Sequence, residues 1–551
     1  MKMRPARRAL LACSASLVAS SLASQARAQF DAPTSYYSTA TGLTGAALKS
    51  QLQTITTAMT EVSYGDARFS AEITDANPTT AGNILLIYNR ASVSATWDEG
   101  ATWNREHMWP VSHLTVSGAD PGNTTTDLRS DQFNLRPANP VINSTRGNTP
   151  YGPDGGGGAA GMRNGDTVWY PGDADAGDVA RAQFYMATRY STLSLVDSIT
   201  PTGTQMGDLS SLLRYHYKDV PDTFERRRNH AIFGNAGAPG SPAITNPYKQ
   251  ENRNPYVDHP EYAWSVFVDQ QNDSTLSVAA PNANGGSTAA VNLGRVLRNA
   301  AVPAAQGVTL NKAGVDGTYY SATTSGDATS NVTGRYNAFA MDAAGTRTLV
   351  VGLNTTTSAA GLKSGSVVVD NLDITTAGGA GHGANDADDT INVSLSVLDP
   401  SNSSFTGGAA DTNTLTIDFG SVQPGVDPAA QGFSLFNLAS AALGASLTAG
   451  LDLDTINATG NTAVFSTDLS SFANLAAGAA HAGTASFDAP LAPGTYGATY
   501  TLLFSDENLP GTVTTTSLTL NVTGSVVPEP ATLAFAAGAM LFLAARRRRS
   551  C

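Results

Sequence analysis

One short stretch of the chain concentrates side chains that could do chemistry. Glu106 and His107 are adjacent, with Trp103 before them and Trp109-Pro110 after them. A carboxylate beside an imidazole is a candidate acid/base and metal site. Neighbouring side chains on a regular strand point to opposite faces. We therefore expect both groups to serve one site only if the backbone bends there, which Pro110 would allow.

A second polar stretch, residues 131–148, supplies further candidates. Its amide and guanidinium side chains are Asn134, Asn139, Asn143, Asn148, Arg136 and Arg146. Together the two stretches offer oxygen ligands, an imidazole base and cations. This set suits attack on a phosphodiester assisted by Mg²⁺ or Ca²⁺, because guanidinium groups bind phosphate through a planar fork. The alternative is an Asn-rich surface loop whose side chains cap turns.

These motifs resemble the endonuclease I family of ββα-metal (His-Me finger) nucleases. The shared signature reads N-R-E-H-x-W-P-x-S, then D-x-x-N-L-R-P-A, then V-I-N-S-x-R-G-N, in family order within about residues 36–265. The resemblance implies an α+β nuclease domain with a ββα-metal finger. It also implies an enzyme, an endonuclease that hydrolyses phosphodiester bonds.

The same resemblance implies roles for single residues. His107 would be the general base that takes a proton from the attacking water. Glu106 and Asn143 would bind one divalent cation, which we expect to be Mg²⁺, with Ca²⁺ and Mn²⁺ as alternatives. Asn134 would brace the site.

The arginine that contacts the phosphate is not identified by the motifs. Arg146 is our catalytic candidate, and Arg129 and Arg136 compete with it. Arg181 lies on a predicted helix, offset from the apolar face formed by its neighbours, so it would be solvated or contact phosphate. Arg129, Arg136 and Arg146 are therefore alternatives for one task.

The expected substrate is DNA, with RNA as an alternative. The resemblance implies products with 5′-phosphate and 3′-hydroxyl ends, and no base-reading element is recognisable, so we expect cleavage without sequence specificity. Two other functions stay open. One is a surface structural or adhesive protein whose nuclease module is inactive. The other is a phosphatase on the same scaffold.

Charge and composition divide the chain into unequal halves. Residues 30–265 hold 17 Lys and Arg against 24 Asp and Glu, a net charge of −7, and contain all five Trp. Residues 266–525 hold 6 against 20, a net charge of −14, and are rich in Thr, Ser, Ala and Gly. Neither half has the excess of positive charge that tight nucleic-acid binding needs.

The acidic half carries a repeat. The word P-A-A-Q-G occurs at residues 303–307 and again at 428–432, and period-two alternation surrounds both copies. This pattern predicts two tandem all-β sandwich modules after the nuclease domain. We place the nuclease domain at 30–265, a linker at 266–288, and the modules at 289–400 and 401–525.

The two ends of the chain resemble sorting signals. Residues 1–28 have a basic start, an apolar run and an A-x-A site, as in a secretory signal peptide. Residues 526–551 contain Pro-Glu-Pro, a short hydrophobic helix candidate and four terminal arginines, as in a PEP-CTERM signal. The resemblance implies an exosortase-type processing enzyme as partner. We expect an exported protein that is transiently anchored in the membrane and then resides at the cell surface, in the outer membrane or outside the cell.

The chain has two cysteines, Cys13 and Cys551, one in each sorting signal. Removal of both signals leaves a mature protein without cysteine, so it cannot form a disulfide. We expect a monomer.

Overall fold

The computed structural model describes residues 30–115, 118–235, 237, 241–373, 386–408 and 410–528. The predicted signal peptide, both cysteines, and the apolar and arginine segments of the sorting signal lie outside the described residues. In the part of the chain described, no helix has both the length and the apolar character needed to cross a bilayer.

The first domain mixes helices with short strands. Its helices are α1 (Gly45–Thr57), α2 (Ala67–Thr74), α3 (Val111–Leu114), α4 (Pro140–Arg146), α5 (Ala176–Arg189), α6 (Leu209–Lys218), α7 (Thr223–Phe233), α8 (Pro255–Asp258) and α9 (Tyr262–Phe267). Its strands are β1 (Asn83–Leu85), β2 (Ser92–Ser94), β3 (Asn104–His107), β4 (Leu135–Ala138), β5 (Gly161–Arg163), β6 (Val168–Tyr170), β7 (Ser194–Leu195) and β8 (Gln205–Met206). The strands pair in twos, so the helices supply most of the framework.

Helix α5 is the centre of this domain. Every residue from Ala176 to Thr188 is buried, which a helix on the surface of a domain cannot achieve. The core around it contains apolar side chains from α1, α6 and α9. The spacing of apolar residues predicted that one face of this helix packs in the core. The structure buries the remaining faces as well, because α6 and the chain before α8 cover them.

The motif residues lie on an antiparallel pair of strands and on the helix that follows it. β3 pairs antiparallel with β4, so that Glu106 lies opposite Arg136 and His107 opposite Leu135. Helix α4 follows β4 after one residue, Asn139, whose side chain accepts from the first turn of the helix. A capping Asn followed by Pro is a strong helix start, so the local sequence places α4 directly against the hairpin.

Two β-sandwiches follow, as the alternation predicted. The strands of the first are β9 (Thr275–Ser277), β10 (Thr288–Leu297), β11 (Gln306–Ala313), β12 (Thr318–Gly326), β13 (Ala328–Ser330), β14 (Gly334–Phe339), β15 (Gly345–Leu353), β16 (Gly361–Asn371) and β17 (Asp389–Leu398). The strands of the second are β18 (Ser403–Ser404), β19 (Thr414–Val422), β20 (Gln431–Asn437), β21 (Leu451–Gly460), β22 (Phe465–Thr467), β23 (Phe472–Leu475), β24 (Ala480–Phe487), β25 (Gly494–Asp506) and β26 (Thr515–Val526). Each sandwich has one five-stranded and one four-stranded sheet around an apolar core. β9 belongs to the first sandwich, although it lies within the stretch that composition marks as a linker.

The two modules share a backbone irregularity upstream of the repeated word. β10 runs parallel to β17, and β19 runs parallel to β26, each with a shift of register near its end. Gly294 and Gly420 occupy the two shifts with φ of 94° and 71°, a backbone region that favours glycine. These two glycines therefore mark the same bulge in both modules.

The first sandwich packs directly on the nuclease domain. Tyr217 of α6 donates to Asp373, whose other carboxylate oxygen accepts from the backbone of Tyr319, and all three residues are buried. Arg335 of the sandwich pairs with Glu261 of the nuclease domain. These contacts, with a small apolar cluster around Trp264, join the two domains through a buried polar interface.

Candidate active site

The hairpin places two pairs of side chains on opposite faces of β3. Asn104 and Glu106 share one face, and Arg105 and His107 share the other, as strand geometry requires. The strand ends at His107, so the catalytic candidates occupy its last two positions. Glu106 and His107 nevertheless line one open cleft of about 470 Å³. The lining residues are Tyr64, Arg105, Glu106, His107, Pro110, Val111, Ser112, Asp120, Pro121, Asn143, Gly147 and Asn148.

Glu106 is oriented by two polar groups of the domain interior, Tyr88 and Arg146. Its Oε1 accepts a 2.7 Å hydrogen bond from the Tyr88 hydroxyl and lies 3.3 Å from Nη1 of Arg146. Burial raises the pKa of Glu106, and the charge of Arg146 acts against that rise. The second oxygen, Oε2, accepts no hydrogen bond from any described residue. One oxygen thus orients the carboxylate, and the other is left for a ligand in the cleft.

Asn143 projects from α4 toward the same cleft. Its Nδ2 donates a 2.8 Å hydrogen bond to Oδ1 of Asn104. This bond orients the amide, so that its oxygen is the atom left to act as an acceptor or a ligand. A carboxylate oxygen and an amide oxygen are hard donors that suit Mg²⁺, which keeps several waters and needs few protein ligands. The donor set of Glu106 and Asn143 therefore fits a divalent cation.

His107 is fixed by two contacts. Its Nε2 lies 2.8 Å from the backbone oxygen of Arg129, and its ring stacks on Tyr64 with centroids 5.4 Å apart and an angle of 17°. Burial lowers the pKa of His107 to about 4, so the imidazole is neutral at pH 7. A nitrogen that faces a carbonyl oxygen must carry the proton, which leaves the lone pair on Nδ1. A neutral imidazole with a fixed tautomer is the form that a general base needs.

Asn134 lies behind the finger, not in the cleft. Its Oδ1 accepts from the backbone N–H of Trp109 at 2.6 Å, and its Nδ2 donates to the Trp109 carbonyl at 3.1 Å. The side chain is fully buried. These two bonds hold the chain that leaves His107, which is a bracing contact.

Arg146 is also behind the site. Its guanidinium donates to the backbone oxygens of His107 and Met108 at 3.0 and 2.8 Å, and its side chain has no exposed surface. It touches Glu106 but does not line the cleft. In this structure Arg146 supports the carboxylate and the strand end from the interior.

The other predicted arginines have carboxylate partners. Arg136 lies 2.6 Å from Asp75, and Arg181 lies 2.6 Å from Glu225, with both guanidinium groups buried. Arg129 is held by the adjacent Asp127 at 2.6 Å. None of the three lines the cleft.

The cleft contains two residues whose role the motifs did not predict. Arg105 stands inside the first motif but was not singled out, and Tyr64 lies outside every motif. In the sequence only Arg105 gave an indication of its role, namely a positive charge beside Glu106. The tyrosines behind the site, Tyr88 and Tyr151, gave none, and they meet with their hydroxyls 3.1 Å apart.

The sequence comparisons address the family directly. The profile described as Endonuclease I matches residues 44–261. The chain is 37% identical over 247 residues to an extracellular ribonuclease of Bacillus amyloliquefaciens, which covers 42% of this chain and 78% of that protein. It is also 37% identical over 262 residues to an extracellular ribonuclease of Bacillus subtilis (strain 168), with coverage of 45% and 83%. This chain belongs to the endonuclease I family.

As a member of the endonuclease I family, the chain is a nuclease that hydrolyses phosphodiester bonds. This confirms the family and the enzyme class predicted from the motifs. A second profile, the PEP-CTERM protein-sorting motif, matches residues 526–549. Together with the extracellular relatives, it supports export and surface sorting.

Solved structures resemble this chain only weakly. CfaE, the adhesive subunit of a fimbria of enterotoxigenic Escherichia coli, is 10% identical, with a TM-score of 0.21 and coverage of 47% of this chain and 88% of that one. Mouse cadherin-23 EC22–24 is 11% identical, with a TM-score of 0.23 and coverage of 46% and 67%. Scores of this size do not establish a shared fold.

Proposed function

We propose that the chain is a secreted, surface-sorted endonuclease that cuts DNA and RNA without sequence specificity. His107 is the general base, and Glu106 and Asn143 hold one divalent cation, with Mg²⁺ the best fit to their oxygen donors. The carrying observation is that these three side chains line one cleft on a ββα finger. RNA enters the proposal because both relatives are named ribonucleases.

His107 takes a proton from water in the cleft at Nδ1. Its Nε2–H stays on the backbone oxygen of Arg129, so the ring cannot rotate away from the water. The stacking of Tyr64 restricts the ring in the second direction. The low pKa of the imidazole keeps it in the accepting form throughout the neutral range.

Glu106 and Asn143 position the cation, and Tyr88, Arg146 and Asn104 position them. A bound divalent cation supplies Lewis-acid stabilisation of the negative charge that develops on the phosphate and the leaving oxygen. The water oxygen bonds to phosphorus as its proton moves to His107, and the bond from phosphorus to the 3′ oxygen breaks. The 3′ oxygen takes a proton from solvent water, which leaves 5′-phosphate and 3′-hydroxyl ends. We assign Arg146 a positioning role, since its donors are directed to backbone oxygens and its side chain is buried.

The proposed function also includes export and processing of the chain. The secreted chain is processed by an exosortase-type enzyme at its PEP-CTERM signal. The two β-sandwich modules, 289–400 and 401–525, follow the nuclease domain (30–265) and its linker (266–288). They end where the sorting signal, 526–551, begins. The modules therefore separate the cleft from the signal that attaches the protein.

The test uses the purified, secreted protein with supercoiled plasmid and with a single-stranded RNA. We expect cleavage with Mg²⁺, none with a chelator, and a loss of about 10²- to 10⁴-fold in His107→Ala, the range for removal of a general base. His113→Ala is the matched control. It removes a nearby histidine that bonds to the Gly203 oxygen and does not line the cleft.

Three results would contradict the proposal. Equal cleavage by His107→Ala and the unaltered protein would show that His107 is not the general base. No cleavage by the folded protein with any of Mg²⁺, Mn²⁺ and Ca²⁺ favours the inactive, adhesive alternative. Turnover of p-nitrophenyl phosphate without nucleic-acid cleavage favours the phosphatase.

A further inference from the structure

One wall of the cleft is a stack of three side chains. The guanidinium carbon of Arg105 lies 3.6 Å from the centroid of the Tyr64 ring, and the same ring stacks on His107. Strand geometry explains the arrangement, because Arg105 and His107 are two residues apart on β3 and share a face. The general base and an arginine are therefore held side by side by one aromatic ring.

Arg105 differs from the arginines that the motifs suggested. Arg129, Arg136, Arg146 and Arg181 each have a carboxylate partner. Among the residues that the structure describes, Arg105 has no carboxylate oxygen within 4.0 Å. Its one hydrogen bond to a described residue goes from Nη1 to the backbone oxygen of Tyr64. In a domain of net charge −7, an unpaired cation at the cleft is available for an anion.

We propose that Arg105, held on the ring of Tyr64, is the phosphate-binding residue of the cleft and contacts a phosphodiester group beside His107. The inference rests on the proposed function and names the group that binds its substrate. The ligand class is a phosphodiester monoanion, for which inorganic phosphate is a weak competitor. Tyr64 is a positioning residue, because it touches Arg105 and His107 and not the phosphate.

The geometry suits this division of labour. The guanidinium carbon of Arg105 lies close enough to the Tyr64 centroid for a cation–π attraction. Nη1 donates to the backbone oxygen of Tyr64 and Nε is buried, so Nη2 is the group left to donate to a phosphate oxygen. A lysine at this position would keep the charge but would lose the planar group that contacts the ring.

The chain offers a matched control for this pair. Arg189 lies over the ring of Tyr190 at 4.7 Å, is half-buried like Arg105, and also has an Nε without a partner among the described residues. It lies at the end of α5 and does not line the cleft. Arg189→Ala thus removes a similar contact from the same domain without touching the site.

The first experiment measures binding without turnover. The secreted protein is titrated with a fluorescein-labelled single-stranded oligonucleotide in chelator, over a range of salt concentrations. We expect Arg105→Ala to weaken binding about 10- to 100-fold, the range for loss of a charge-assisted contact. The slope of log K against log salt should decrease in magnitude by about 0.7, the value for one phosphate contact on a single strand. Arg105→Lys should keep the slope and recover only part of the affinity.

The second experiment separates contact from positioning. We expect Tyr64→Ala to raise KM and to lower kcat, because both Arg105 and His107 lose their support. Tyr64→Phe retains the ring and should rescue both parameters. Inhibition by inorganic phosphate should weaken in Arg105→Ala and stay unchanged in Arg189→Ala.

Equal oligonucleotide affinity and salt slope in Arg105→Ala, Arg189→Ala and the unaltered protein would overturn the inference while leaving the nuclease proposal intact. An unaltered protein that shows Arg105-dependent binding but cleaves nothing would overturn the nuclease proposal instead. If Arg105→Ala does not fold, as judged by its melting temperature, the same comparison is made with Arg105→Gln and Arg105→Lys. Equal slopes in those two variants would then reject the contact.

Discussion

The nuclease domain and the two β-sandwiches are built on different physical principles. The sandwiches bury aliphatic and aromatic side chains from alternate positions, with cores of residues such as Leu435, Leu502 and Leu520. The sandwiches also bury single carboxylates such as Asp373 and Asp506, whereas the nuclease domain buries whole arginine–carboxylate pairs, including Arg136, Arg181 and their partners. A charged residue in the nuclease domain is therefore often part of the framework, and its charge alone does not mark it as functional.

This difference explains why four arginines looked like phosphate ligands. Buried ion pairs consist of the same residue types that catalysis uses. Only a carboxylate partner within reach distinguishes the two uses, and Arg105 is the cleft residue without one. Substitutions among the buried ion pairs of the nuclease domain, in the apolar core of a sandwich and at their interface should therefore have effects of decreasing size.

The largest effect should come from Arg181→Met. This change leaves Glu225 buried without its cation, and breaking a buried pair by removing one partner costs about 3–5 kcal/mol. All five Trp lie in residues 30–265, so Trp fluorescence during urea unfolding reports the nuclease domain alone. The double variant Arg181→Met with Glu225→Gln should recover part of the loss. A loss below about 1 kcal/mol in the single variant would show that the pair is not structural.

A smaller effect, confined to the other region, should come from Leu502→Ala. Leu502 is fully buried in the second sandwich, and such truncations cost about 2–5 kcal/mol. Leu503 follows it on the opposite face, 38% exposed, so Leu503→Ala is the control and should cost well under about 1 kcal/mol. Circular dichroism at the β-sheet wavelength should register the change while Trp fluorescence and nuclease activity stay constant. Loss of activity in Leu502→Ala would show that the regions do not unfold separately.

The smallest effect concerns the interface where the two regions meet. Burial raises the pKa of Asp373 to about 8, against about 3.8 in an unfolded chain. Folding then favours the protonated acid, so its stabilisation is complete below pH 4 and is lost as the pH rises to 8. Between pH 6 and 8 the loss is at most about 3 kcal/mol.

Asp373→Asn tests this by removing the titration. The variant should be less stable at low pH, because the amide cannot accept from both Tyr217 and Tyr319. Its stability should nevertheless change less between pH 6 and 8 than that of the unaltered protein, measured by urea unfolding at both values. Parallel slopes in the two proteins would contradict the assignment.

Much of the candidate site could be predicted from sequence because its parts are local. Glu106 and His107 are adjacent, and Asn143 follows a capping Asn139 and a helix-starting proline. The strand, the hairpin partner and the helix follow from short-range rules, and so do the alternating strands of the sandwiches. The repeated glycine bulges are also local, since a positive φ is a property of single residues.

The remainder depended on contacts between distant parts of the chain. Arg181 meets Glu225, 44 residues later, and Tyr64 stacks on His107 from well outside the motifs. No spacing rule relates such positions, because the elements that carry them come together only when the core is packed. The interface between Tyr217 and Asp373, 156 residues apart, is of the same kind.

The sequence by itself determined the chemistry available to this protein: a family of nucleases, a carboxylate–imidazole pair on a finger, an amide on the next helix, and a sorting motif at the end of the chain. It determined these because motif residues are close in sequence and carry their chemistry with them. Only the tertiary structure decided which charges face the cleft. Burial depends on what lies across the core, so Arg136, Arg146 and Arg181 became framework, and Arg105 was left lining the cleft.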